Sequence, residues 1–133
     1  MKEDGEQMKI LIVDDSSVMR KVIKAAADVL DLDTEEAQDG VEALEKLAAN
    51  YLDIDLVLLD WNMPNKTGFD VLQEIKSTEN LKKIPVMMVT TEGHKTSIVA
   101  AVRAGADNYL VKPFTVDELE SKIIECIGKG GWF

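Results

Sequence analysis

The sequence is short of the features that mark several large functional classes. Its single cysteine, Cys126, excludes an internal disulfide and any cysteine-based zinc site. Apolar runs such as Ile10–Val13 and Leu56–Leu59 fall far below the roughly 20 residues of a membrane span. The first residues, Met-Lys-Glu-Asp-Gly-Glu-Gln, are acidic and lack the apolar stretch of a secretory signal. Basic residues are also in deficit. With 15 Lys and Arg against 25 Asp and Glu, the formal charge is −10. This argues against a surface that grips nucleic acid or a membrane by its phosphates. There is no internal repeat or low-complexity segment. What remains is 133 residues, 46% apolar and 30% charged, the profile of one folded domain. The expected setting is the cytoplasm.

Hydrophobic periodicity alternates regularly along the chain. Residues 9–13, Lys-Ile-Leu-Ile-Val, carry an apolar run too short for a helix, and read as a buried strand. Ser16 or Ser17 caps a helix whose apolar positions are Val18, Met19, Val22, Ile23, Ala26 and Val29. Thr34–Gln38 is a weaker, polar strand, and Asp39-Gly40 leads into a helix with Val41, Leu44 and Leu47 on one face. Leu56–Leu59 is a second apolar strand, followed by a helix carrying Phe69, Leu72 and Ile75. Pro85 opens a strand at Val86–Val89, and a helix from Lys95 to Ala104 ends at Gly105. Tyr109–Val111 is the last strand. Thr115 caps a final helix with Val116, Leu119, Ile123 and Ile127 turned inward.

Strands alternating with helices call for an α/β fold, a doubly wound parallel sheet covered on both faces. The polar second strand belongs at an edge, and the apolar first and third in the centre. That suits the flavodoxin-like order 2-1-3-4-5 with five helices, whose ligands bind at the carboxyl ends of the strands. At that rim the chain places Asp14-Asp15, Asp60, Thr90 and Lys112-Pro113, from four strands. An Asp at a strand end is, taken alone, an ordinary turn former. Three at one rim repel by about 3–4 kcal/mol per pair at an effective dielectric of 20. A divalent cation among them relieves this, and hard oxygen ligands suit Mg²⁺ or Mn²⁺.

Val13-Asp14-Asp15-Ser16, Leu59-Asp60-Trp61-Asn62-Met63-Pro64-Asn65, Gly68, Thr90, Tyr109 and Lys112-Pro113-Phe114 resemble the receiver domains of bacterial two-component response regulators, above all the single-domain chemotaxis type. The resemblance covers 9–128, leaving an N-terminal extension, 1–8, and a tail, 129–133. It implies that a chemotaxis-type histidine kinase phosphorylates Asp60. It also implies that Asp15, Asp60 and the backbone carbonyl of Asn62 ligate Mg²⁺, with Asp14 acting through water. Lys112, turned in by a cis Lys112–Pro113 bond, would neutralise one phosphoryl oxygen and Thr90 would bond another. Thr90 and Tyr109 would form the switch. Asn62 and Glu92 would flank the water that removes the phosphoryl group, with Thr91 in place of the usual Ala. Lys95, Ile98, Tyr109 and Lys122 would form an output face that meets the flagellar motor switch protein. Gly68 is read as giving the chain freedom before its helix. A monomer is expected, and a dedicated phosphatase is left open.

The chemistry supports those roles independently, because a carboxylate nucleophile needs the incoming phosphoryl charge screened by a metal and a Lys. A haloacid-dehalogenase-like phosphatase would want a second Asp two residues after the nucleophile, where this chain has Asn62. A flavodoxin would cradle phosphate after the first strand, where Asp14-Asp15 repel it. The competing reading within the family is a phosphorelay intermediate. No output domain follows the last helix, so transcriptional control is not expected. His94 reads as an exposed loop residue, Cys126 and the methionines as packing, and Trp61 as a partly exposed lid. The terminal Trp132-Phe133 reads as a fraying end or a docking anchor.

Overall fold

The computed structural model describes residues 7–128. Five strands, β1 (Lys9–Val13), β2 (Asp33–Ala37), β3 (Leu56–Leu59), β4 (Val86–Thr90) and β5 (Asn108–Val111), form one parallel sheet in the order β2-β1-β3-β4-β5. Five helices connect and follow them: α1 (Ser17–Val29), α2 (Gly40–Asn50), α3 (Gly68–Ser77), α4 (Lys95–Arg103) and α5 (Val116–Gly128). This is the flavodoxin-like arrangement that the strand polarity implied. No described helix is long and apolar enough to cross a membrane.

The central strands read as unbroken apolar runs because both of their faces are covered. On one face Leu11, Val13, Val57, Leu59, Val86 and Met88 pack against residues of α2, α3 and α4, including Leu47, Leu72 and Ala101. On the other, Ile10, Ile12, Leu56, Leu58, Met87 and Val89 meet Ile23, Ala26 and Ala27 of α1 and Leu119, Ile123 and Cys126 of α5. Odd and even strand positions therefore feed separate cores, as a period of two demands. Cys126 and the paired Met87 and Met88 are packing residues, as their sequence context suggested.

Local chemistry sets the helix starts. Ser16, Asp39 and Thr67 accept from the N–H groups of Met19, Glu42 and Asp70. Thr115 and Glu118 bond reciprocally, side chain to backbone, in a capping box at α5. Gly105 sits at φ +107° after α4, in the left-handed turn expected there.

Some sequence expectations shift. The second strand runs one residue earlier than Thr34–Gln38, because pairing with β1 sets its limits: Lys9 lies opposite Asp33 and Val13 opposite Ala37. Gln38 has already left the ladder, and its N–H bonds to Glu42 at the start of α2. The apolar stripe of α1 is narrower than drawn. Val18 and Val29 are 70% and 73% exposed, and Val22 is exposed too. The buried line runs instead through Ile23, Ala26 and Ala27, where small side chains let the helix approach the sheet. Val41 and Val116 are likewise exposed. Gln7 and Met8, within the expected extension, touch the fold: Gln7 bonds to Asp31, and the Met8 carbonyl accepts from the Asp33 N–H. Trp132 and Phe133 lie outside the described residues.

Candidate functional site

Strand register builds the site. Val13 pairs with Leu59 across β1 and β3, so the next residues, Asp14 and Asp60, emerge side by side. Thr90 pairs with Val111 across β4 and β5, and Lys112 follows immediately. The Lys112 N–H donates to the Thr90 carbonyl at 2.8 Å, and the Lys112–Pro113 bond is cis. Asp14, Asp60 and Thr90 are all buried, at 2%, 7% and 0% exposure. Asp15 is exposed at the mouth.

The carboxylates of Asp14, Asp15 and Asp60 each offer an oxygen, all within 4.8 Å of one another. Lys112 Nζ reaches into this group, 2.7 Å from Asp14 Oδ2 and 3.4 Å from Asp60 Oδ2. One ammonium among three carboxylates leaves two negative charges uncompensated. A small hard dication fits that residual charge and an all-oxygen donor set. The two inner carboxylates are not equivalent. Asp14 is committed, with Oδ1 accepting from the Ser16 N–H at 2.9 Å and Oδ2 from Lys112. Asp60 has only the longer Lys112 contact and the Asn62 N–H at 3.3 Å. Its oxygens are the less engaged pair, which suits a nucleophile.

Two supporting groups, Arg20 and Gly68, were not legible as such. Arg20 on α1 donates to the Asp14 carbonyl at 2.7 Å and to Glu36 of β2 at 2.9 Å, fixing the acidic turn from behind. The one clue was a cation on the helix that follows the paired acids. Gly68 serves close approach rather than freedom. A Cβ there would lie 1.9 Å from the Asp60 carbonyl oxygen, so only glycine lets α3 begin against the acceptor loop. Trp61 stacks on Phe69 at a centroid distance of 5.1 Å, half-buried beside the site.

The loop after β4 is tightly knit. The Glu92 N–H donates to Thr90 Oγ1 at 3.2 Å, and Tyr109 donates its hydroxyl to the Glu92 carbonyl at 2.5 Å. Thr90 and Tyr109 thus meet through one residue, with the Tyr109 ring half-buried against the core. The Glu92 carboxylate is not in the acidic cluster. It accepts from His94 Nδ1 at 2.8 Å and Ser97 Oγ at 3.0 Å. His94 is exposed, as expected, but it occupies the N-cap position of α4 rather than a free loop. Asn62 and Lys95 are exposed, while Ile98 and Lys122 are half-buried.

Residues 10–124 match the family model described as response regulator receiver domain. This chain belongs to that family. It is 46% identical over 122 residues to the chemotaxis protein CheY1 of Helicobacter pylori, covering 91% of this chain and 98% of that one. It is 44% identical over 120 residues to the chemotaxis protein CheY-3 of Vibrio cholerae, covering 90% and 91%. Among solved structures, Vibrio cholerae CheY4 superposes with a TM-score of 0.84 at 30% identity, covering 91% of this chain and 99% of that one. The phosphorylated cyanobacterial phytochrome response regulator RcpA does so with a TM-score of 0.84 at 27% identity, covering 94% and 97%. The receiver domain is therefore a two-component signalling module with chemotaxis proteins among its relatives.

In this receiver domain the Tyr109 phenol is shifted. Burial, then the nearby charges of Glu92 and Asp60, push it up to about 12 from 10.0. A group whose pKa rises on folding favours the folded state below its unfolded value, and that contribution is lost as pH climbs through the folded one. Stability contributed by Tyr109 should therefore decline between pH 10 and about 12. In a rapid pH jump, before unfolding, the phenolate absorbance of wild type minus Tyr109→Phe should show a midpoint near 12. A midpoint at the ordinary value would contradict the packed position of the ring.

Proposed function

We propose that the protein is a phosphorylation-controlled chemotaxis regulator whose acceptor is Asp60. The observation that carries this reading is the convergence of Asp14, Asp15, Asp60 and Lys112 on one rim, with Asp60 less engaged than its buried neighbour Asp14. A histidine kinase of the chemotaxis type is the donor. The Asp60 oxygen forms a bond to phosphorus as the donor's N–P bond breaks, and the departing imidazole takes up a proton. Asp15, Asp60 and the Asn62 carbonyl would hold Mg²⁺, or Mn²⁺, which would supply screening of the phosphoryl oxygens. Asp14 would contribute through water, since both of its oxygens already have partners. Lys112 is placed to shift from Asp14 towards the new charge. Transfer of this kind depends on positioning and electrostatics more than on a general base.

Thr90 would then turn its hydroxyl from the Glu92 N–H to a phosphoryl oxygen. A charge-assisted bond of that type contributes about 1.5–3 kcal/mol, enough to shift a two-state equilibrium ~10–100-fold. Because the Tyr109 hydroxyl rests on Glu92, movement there reaches the surface of Lys95, Ile98, Tyr109 and Lys122. That surface is the output face, read by the flagellar motor switch protein in the cytoplasm by a monomeric regulator. The phosphoryl group is lost by autodephosphorylation, with Asn62 and Glu92 flanking the water.

Two outcomes follow. Acetyl phosphate with Mg²⁺ should add one phosphoryl group, read as a mass increase, and Asp60→Asn should abolish it while leaving the circular dichroism unchanged. An undiminished yield from that variant would overturn the acceptor assignment. An N-terminal motor-switch peptide should bind ~10–100-fold more tightly after beryllofluoride treatment, and Tyr109→Ala or Lys122→Glu should weaken it. Equal affinity in both states would remove the motor and favour the phosphorelay reading.

A further inference from the structure

The β4–α4 loop holds a group of contacts that phosphoryl transfer does not use. Glu92 stands two residues after Thr90, with its N–H on the Thr90 hydroxyl, so its backbone is fixed at the rim of the acceptor site. Its side chain bonds to the start of α4. Oε2 accepts from His94 Nδ1 at 2.8 Å, from Ser97 Oγ at 3.0 Å and from the His94 N–H at 3.4 Å. All three donors belong to the start of α4 or its cap. The bonds from His94 and Ser97 also hold the Glu92 carboxyl below the usual carboxylate range. The group is thus kept ionised and directed at the helix, outside the cluster formed by Asp14, Asp15 and Asp60.

We infer that His94 and Ser97 act as positioning residues that hold the Glu92 carboxylate away from Asp60, lengthening the life of a phosphoryl group there. The inference rests on Asp60 being the acceptor. An acyl phosphate hydrolyses when a water oxygen bonds to phosphorus as the Asp60 oxygen–phosphorus bond breaks. Inorganic phosphate leaves, the Asp60 carboxylate is restored, and the proton of the water passes to a base and then to solvent. A carboxylate beside that water accepts the proton and orients the attack. A carboxylate bound by His94 and Ser97 does neither. Each opening of the clamp therefore makes the site competent to reset, and the strength of the clamp sets how often this happens.

The clamp is modest. The His94 side chain is 84% exposed, so water competes for its bond to Glu92, while Ser97 is half-buried and its bond is held better. Removing both should raise the open fraction several-fold rather than by orders of magnitude. Neither residue lies in the two cores, so the fold should tolerate their loss.

The test is a cycle of variants in the full chain. Wild type, Ser97→Ala, His94→Ala with Ser97→Ala, Glu92→Ala, and the triple variant are loaded with acetyl phosphate and Mg²⁺. The donor is removed, and phosphate release is followed over time. The His94→Ala/Ser97→Ala pair should release phosphate about three- to tenfold faster than wild type, Ser97→Ala alone should fall between them, and the pair should have no effect in the Glu92→Ala background. This dependence on Glu92 is something a merely structural role for His94 and Ser97 would not produce. Unchanged decay in the pair, or equal acceleration with and without Glu92, would overturn the clamp while leaving the acceptor assignment intact. If wild type takes up no phosphoryl group, the acceptor reading fails and the clamp fails with it.

Discussion

Everything at the rim depends on how one half-buried ammonium shares itself between two carboxylates. Lys112 lies 2.7 Å from Asp14 and 3.4 Å from Asp60, and the two acids stand side by side because β1 and β3 pair Val13 with Leu59. A one-residue slip would turn those side chains to the opposite faces and scatter the cluster. The apolar β1 and β3 are therefore more than core. By burying both faces they fix the register, and the register fixes the charges. The cation is bound more closely to Asp14, which Ser16 also holds, so the acid left less satisfied is the one assigned as nucleophile.

The proposed switch is built from backbone bonds in the same way. Thr90 and Tyr109 come from adjacent strands, yet they communicate through a third residue, with the Glu92 N–H on one and the Glu92 carbonyl on the other. The side chain of Glu92 carries the chain of contacts onward to His94 and Ser97 at the head of α4. These bonds link Thr90 both to Tyr109 and to the head of α4. The short helix α4 is suited to respond, since Ala101 is its only buried residue.

The fold was legible because its strands are unambiguous. Ile10–Val13 and Leu56–Leu59 are too apolar for an edge and too short for helices, and the polar β2 had only the edge left to it. The acidic rim followed from strand ends alone. Less was legible where tertiary packing decides. Periodicity gave α1 a wide apolar stripe, but Val18 and Val29 face solvent because two alanines seat the helix on the sheet. Gly68 looked like a hinge, whereas its lack of a side chain accommodates the Asp60 carbonyl. Arg20, His94 and Ser97 carried no motif. Their roles come from partners distant in space or from a loop conformation that composition does not encode.

The three crowded carboxylates are proposed to form a divalent cation site that exists only in the folded protein. Thermal melting across a Mg²⁺ titration is the test. Binding to the folded state alone should add about 1.4 kcal/mol at ten times Kd, so the melting temperature should climb steadily through the millimolar range. Asp15→Ala should remove most of that rise. A melting temperature that stays flat with Mg²⁺, or one that rises equally in Asp15→Ala, would contradict the account.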